Sequence, residues 1–193
     1  MALRAPAPVA TISRRLVAFF LDGLILAPLY VVLAIALDAA FGALVQADPD
    51  GTRLVVVAVN PTRVALELTL TLLADAAYYA GCWVRWGMTP GQRLCRVAVR
   101  AVSPGVPPSA GAPPPGVPDP ERVPAAIATT RWAVLQLLPL CAGILGASGA
   151  LPAGAVAGIT TVWYMFLFFT AAADPLRRGF HDRRAGTLVV RRA

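Results

Sequence analysis

Two carboxylates stand where the sequence is otherwise oil. Asp22 is the only charge in the apolar run Leu16–Leu37, and Asp75 sits in a second run, 63–84, that also carries Glu67. An ionised carboxylate at the centre of a membrane helix costs at least about 2.5–3.5 kcal/mol, so an acid kept there is paired, neutralised or turned toward a polar path. Counted from the inner ends of their runs, Asp22 and Asp75 lie at similar depth, within about two helical turns of the boundary. Two carboxylates facing each other in low dielectric drive one toward its protonated form or draw a cation between them. That is the chemistry of a relay, which makes Asp22 and Asp75 the candidate cation or proton site. The alternative is that each acid pairs with an arginine and locks the helices together. Both readings stay open on sequence alone.

The remaining charged motifs are weighed the same way. Arg15, Ala18 and Asp22 share one helix face, but Arg15 is roughly 10 Å from Asp22 along the axis, too far for a simple contact. Asp22 is therefore expected to find its partner on another helix or in a basic segment. Arg63 and Glu67 are spaced to neutralise each other on a helix surface. His181-Asp182-Arg183-Arg184 holds the only histidine, with no serine or cysteine placed to act as nucleophile beside it. No enzymatic activity and no cofactor are expected. Cys82, Cys95 and Cys141 are isolated and odd in number, which signals neither a disulfide framework nor a metal site. The run Gly87-Met88-Thr89-Pro90-Gly91-Gln92-Arg93 is turn chemistry, without the lysine of a phosphate-cradling loop. Arg93, Arg96 and Arg100 are candidates for contact with anionic lipid headgroups. No aromatic residues interleave with them, so nucleic acid is not an expected partner.

These side chains have to be positioned by elements that the composition constrains strongly. Of 193 residues, 58% are hydrophobic and only 14% charged, and mean hydropathy is +0.67. An ordinary soluble domain has about 25% charged residues, so the balance points to lipid and excludes a disordered chain. Residues 1–13 read as a loose Pro/Ala-rich tail ahead of a membrane domain spanning 14–193. Spans of about 20 residues are predicted near 16–37, 63–84, 132–148 and 154–173. A leader sequence is disfavoured because the first apolar run exceeds the usual 7–15 residues. A surface helix over Val123–Arg131 is predicted to precede the third span, with Arg131 on its polar side. Tyr78, Tyr79, Trp83 and Trp86 are read as ring anchors at a headgroup boundary. Ser103–Pro120, with eight prolines and three glycines, is a spacer that cannot pack a core. Gln92–Arg100 and Gly186–Val190 are strand-like, and pairing them makes a small two-stranded ribbon.

The arginines set the orientation. The formal charge is +7 and there is no lysine; fifteen of the seventeen arginines fall on one side if four spans leave both termini together. Arginine excess marks the cytoplasmic face, so both termini are expected inside a multi-pass protein of the cell membrane. The fold class is all-α: a four-helix transmembrane bundle with a small cytoplasmic ribbon. Such a bundle is small, and Gly143, Gly146, Gly154 and Gly158 permit close helix contact, so a homo-oligomer is the expected state.

Three motifs in order carry a family likeness. Arg15-x-x-Ala18-x-x-x-Asp22 opens the first span, Thr89-Pro90-Gly91-Gln92-Arg93-Leu94 follows the second, and His181-Asp182-Arg183-x-Ala185-Gly186-Thr187 follows the last. The set resembles the RDD family of bacterial membrane proteins, over most of Arg14–Val190. That family is named for one arginine and two aspartates, which fall here on Arg15, Asp22 and Asp182. The chain departs from the family's pattern at Met88 and at Gln92-Arg93. The resemblance implies a role in transport of undefined ligands, with cation/proton exchange suggested for some relatives. The alternative from the residues is a non-transporting anchor or assembly component whose acids are structural. Combining the readings, Arg15, Asp22 and Asp182 are expected to form a charge network closing the inner helix ends, with Asp182 near Arg93 or Arg15.

Overall fold

A computed structural model describes residues 9–42, 45–47, 54–56, 60–102, 123–147 and 151–192. The first helix, α1 (Ile12–Phe41), runs through Pro28 and stops at Gly42, whose positive φ of 85° suits a residue without Cβ. Two three-residue strands, β1 (Val45–Ala47) and β2 (Leu54–Val56), pair antiparallel after it. Asn60 caps α2 (Pro61–Trp86) by accepting from the Thr62 and Arg63 N–H groups. That helix ends on Gly87 in the left-handed region. The Thr-Pro turn then winds into a short helix, α3 (Pro90–Leu94), through a capping box in which Thr89 and Gln92 satisfy each other's backbone. The chain continues as β3 (Val97–Ala101), α4 (Ala125–Ala147), α5 (Ala153–Ala173), α6 (Phe180–Ala185) and β4 (Thr187–Arg191).

The ribbon expected from the strand-like segments is present: β3 and β4 pair antiparallel, from Val97 opposite Arg191 to Ala101 opposite Thr187. The fold is mostly helical. Among the described residues, two helices, Ile12–Phe41 and Gly154–Ala173, are long and apolar enough to cross a membrane. Both leave large apolar side chains uncovered, such as Phe20, Val32, Val162 and Phe169. The spacer read over 103–120 lies outside the described residues, as do 1–8 of the tail and 148–150 between the third and fourth predicted spans.

The core sits at one end of the helices, where α1, the end of α2, the start of α4 and the ribbon converge around Trp83. That ring is 1% exposed. It donates to Gln92 Oε1 at 3.1 Å and lies under the Arg131 guanidinium, 4.3 Å from its ring centre. Three expectations change here. Tyr79 and Trp83 are buried and only Trp86 faces outward, because residues four apart share the inner helix face. The loose tail gives way at Val9, which bridges Val190; Ala10 is fully buried and donates to the Val189 carbonyl. The separate surface helix and third span are one helix, α4: nothing between Arg131 and Trp132 breaks it, and Arg131 points inward, buried.

Candidate functional site

Asp22 is 1% exposed and faces the Thr-Pro turn. Its Oδ1 accepts from the Tyr78 hydroxyl at 2.6 Å and the Gly91 N–H at 2.7 Å, and its Oδ2 accepts from the Thr89 hydroxyl at 2.6 Å. The approach depends on Gly91, because a Cβ there would fall 2.6 Å from Asp22 Oδ1 and collide with the Ala18 carbonyl. The turn residues thus do specific work: Thr89 and Gly91 supply donors, and the capping box holds both in place. All three donors are neutral, and among the described residues no ion pair reaches Asp22.

Asp75 is held in the same manner by a separate set. It accepts from the Tyr30 hydroxyl on α1 at 3.0 Å and from Trp132 Nε1 and Gln136 Nε2 on α4 at 3.2 and 2.5 Å. The two acids share no donor. Arg63, 3% exposed, pairs with Glu67 at 3.2 Å as the spacing implies, and also with Asp38 from the far end of α1.

Unlike Asp22 and Asp75, Asp182 meets cations. Its Oδ1 accepts from Arg131 Nε at 2.9 Å and from the Thr187 hydroxyl at 3.0 Å. Its Oδ2 accepts from Arg15 at 3.4 Å and from the Gly179 N–H at 3.2 Å. Burial by itself pushes this carboxyl up, but Arg131, His181 and Arg15 outweigh it and hold the group at about 2. Desolvation dominates at the adjacent His181; with Arg131 and Arg15 beside it, the imidazole falls to about 4 despite Asp182. Arg15 also donates to the Arg177 and Val189 carbonyls, so it ties α1 to both sides of α6. Of the expected charge network, Arg15 and Asp182 do meet, whereas Asp22 is satisfied separately.

A cavity of about 180 Å³ lies between these two clusters. Its lining includes Asp22 and Gln92 together with Arg15, Arg131, His181 and Asp182, and Phe19, Leu135 and Tyr164 stand among its walls. Arg15 Nε and His181 Nδ1 are buried and without a hydrogen-bond partner among the described residues. Sequence reasoning missed Arg131 as a member of the site. The available signal was that it is the sole charge in a 23-residue helix, where an arginine needs an acid to face. Tyr30, Tyr78, Trp132 and Gln136 carried no signal beyond their capacity to donate. Arg93 and Arg96 are exposed and Arg100 is half-buried on β3.

A family model, the RDD family, matches residues 9–112, just over half of the chain. No curated protein and no solved structure matches it.

Proposed function

The chain belongs to the RDD family, and on that premise we propose that it is a multi-pass membrane protein that moves a proton or small cation through the cavity beside Asp22. In this reading α1, α2, α4 and α5 are the four spans, the ribbon and both termini lie on the cytoplasmic side, and a homo-oligomer completes the path across the bilayer. One contrast carries the proposal. Asp182 is neutralised by two arginines, whereas Asp22, equally buried on the wall of the same cavity, has only neutral donors. A buried carboxylate on a cavity wall with no arginine against it offers a negative charge that a passing cation can meet.

The test is flux into proteoliposomes loaded with a pH-sensitive dye. Cation-driven proton movement that disappears in Asp22→Asn, with the fold intact, supports the proposal. A folded protein that gives no flux under several cations overturns it. A second reading, a non-transporting anchor or assembly component, has its own support: each of Asp22 and Asp75 joins three helical or turn segments through three hydrogen bonds. Under that reading Asp22→Asn lowers the melting temperature and there is no flux to lose.

A further inference from the structure

A second concave surface lies outside the helix ends, and the transport reading makes no use of it. It is a groove of about 440 Å³ between the first turn of α1 and the turn that joins α3 to β3, with the end of β4 alongside. Arg14, Arg96 and Arg191 line it together with Ser13, Val17 and Leu94. The three arginines come from three elements, and among the described residues none of them pairs with a carboxylate. Arg14 leans across the groove to donate to the Cys95 carbonyl at 3.4 Å. Three like charges around one hollow repel one another unless an anion joins them.

Arg96 adds a backbone observation. Its φ is +53°, the left-handed region that disfavours side chains. The conformation is fixed by Arg96 N–H to the Arg93 carbonyl and by Arg192 N–H to the Arg96 carbonyl at 2.8 Å. A glycine would fit this turn with less strain, so an arginine held there is an outlier of the kind found at binding sites. The apolar members are equally unusual. Leu94 is 69% exposed on a five-residue helix, and Val17 is 52% exposed beside it, continuous with the uncovered Leu16 and Phe20 of α1. Arginines at the foot of an apolar helix surface, with two bare aliphatic side chains at their edge, match a phosphate joined to a hydrocarbon chain. Inorganic phosphate would leave the aliphatic pair unused.

We propose that the groove bounded by Arg14, Arg96 and Arg191 holds the headgroup phosphate of an anionic phospholipid, with Leu94 and Val17 against the start of its acyl chain. Of the set Arg93, Arg96 and Arg100 expected from sequence, Arg96 lines this groove.

The test uses the full chain in mild detergent, with native mass spectrometry counting retained phosphatidylglycerol against phosphatidylcholine of the same acyl chains. Phosphatidylglycerol should bind at least tenfold tighter. Each arginine near an anionic lipid contributes roughly a fivefold factor, so replacing all three by glutamine should weaken binding about a hundredfold. The three lysine replacements should restore most of it. Arg96→Gly suits the backbone and keeps the fold, and it should still lose several-fold. An equal loss from Arg85→Gln, Arg183→Gln and Arg184→Gln together would overturn the assignment in favour of diffuse charge. So would inorganic phosphate displacing the lipid at equal concentration, which would make this a free-phosphate site. Equal retention of the two lipids would overturn it as well.

Discussion

Arg15 and Asp182 lie 167 positions apart in the sequence and 3.4 Å apart in space. Arg131 shares the same carboxylate at 2.9 Å and lies over Trp83 as well. Removing Asp182 therefore leaves the buried Arg131 and the half-buried Arg15 without their counter-charge. Loss of one partner from such a buried set costs about 3–5 kcal/mol. Asp182→Asn should lower the free energy of unfolding in detergent by that order, read by circular dichroism, and Arg131→Gln should cost more than Arg15→Gln. The double exchange Arg15→Asp with Asp182→Arg should recover only part of the loss, because the new arginine faces Arg131. No recovery at all would contradict the network.

Asp22 and Gly91 should behave as one unit. Asp22→Ala strands two hydroxyls and an N–H, at about 1–3 kcal/mol for each buried group left unsatisfied. Gly91→Ala forces α3 away from α1 and breaks the same bonds. The double variant should be clearly less destabilised than the sum of the two single changes; simple additivity in denaturant melts would show that the turn does not depend on Asp22.

Stability should fall with acid in two separate steps. His181 is held at about 4 in the folded chain against an ordinary 6.5, so between those values the unfolded chain binds a proton that the folded chain does not. Stability is complete above pH 6.5 and declines down to about pH 4. Asp182, held at about 2 against 3.8, gives a second decline below pH 3.8 by the same sign. Melting temperature followed from pH 7.5 to 3 should show the first step in the wild type and not in His181→Gln, which retains the second.

Much of this architecture was legible because it is written in local patterns. The ribbon followed from two short strand-like segments, and the long helices from apolar runs near 16–37 and 63–84, which α1 and α2 overrun at both ends. The acids were legible too, since a charge in an oily run needs a reason. Their partners were not. A tyrosine or tryptophan that donates to a buried carboxylate looks in sequence like any apolar ring, so Tyr78 and Tyr30 gave no sign of their roles. Arg131 was misread for a related reason: the solvated face and the inward face of a helix differ by only one or two residues of phase, and the deciding contact, Asp182, comes from a distant part of the chain.

The Asp75 cluster yields a graded expectation. Tyr30→Phe removes one of its three donors and should cost about 1 kcal/mol. Asp75→Leu strands Tyr30, Trp132 and Gln136 together and should cost several times more. Equal costs for the two changes, in the same unfolding assay, would mean that Asp75 does not join α1 to α4.

The docking of Val9 and Ala10 on β4 makes the ribbon and the start of α1 a single clasp. The Val189 carbonyl accepts from both the Ala10 N–H and the Arg15 guanidinium, so a change that shifts β4 loosens two fastenings of α1 at once.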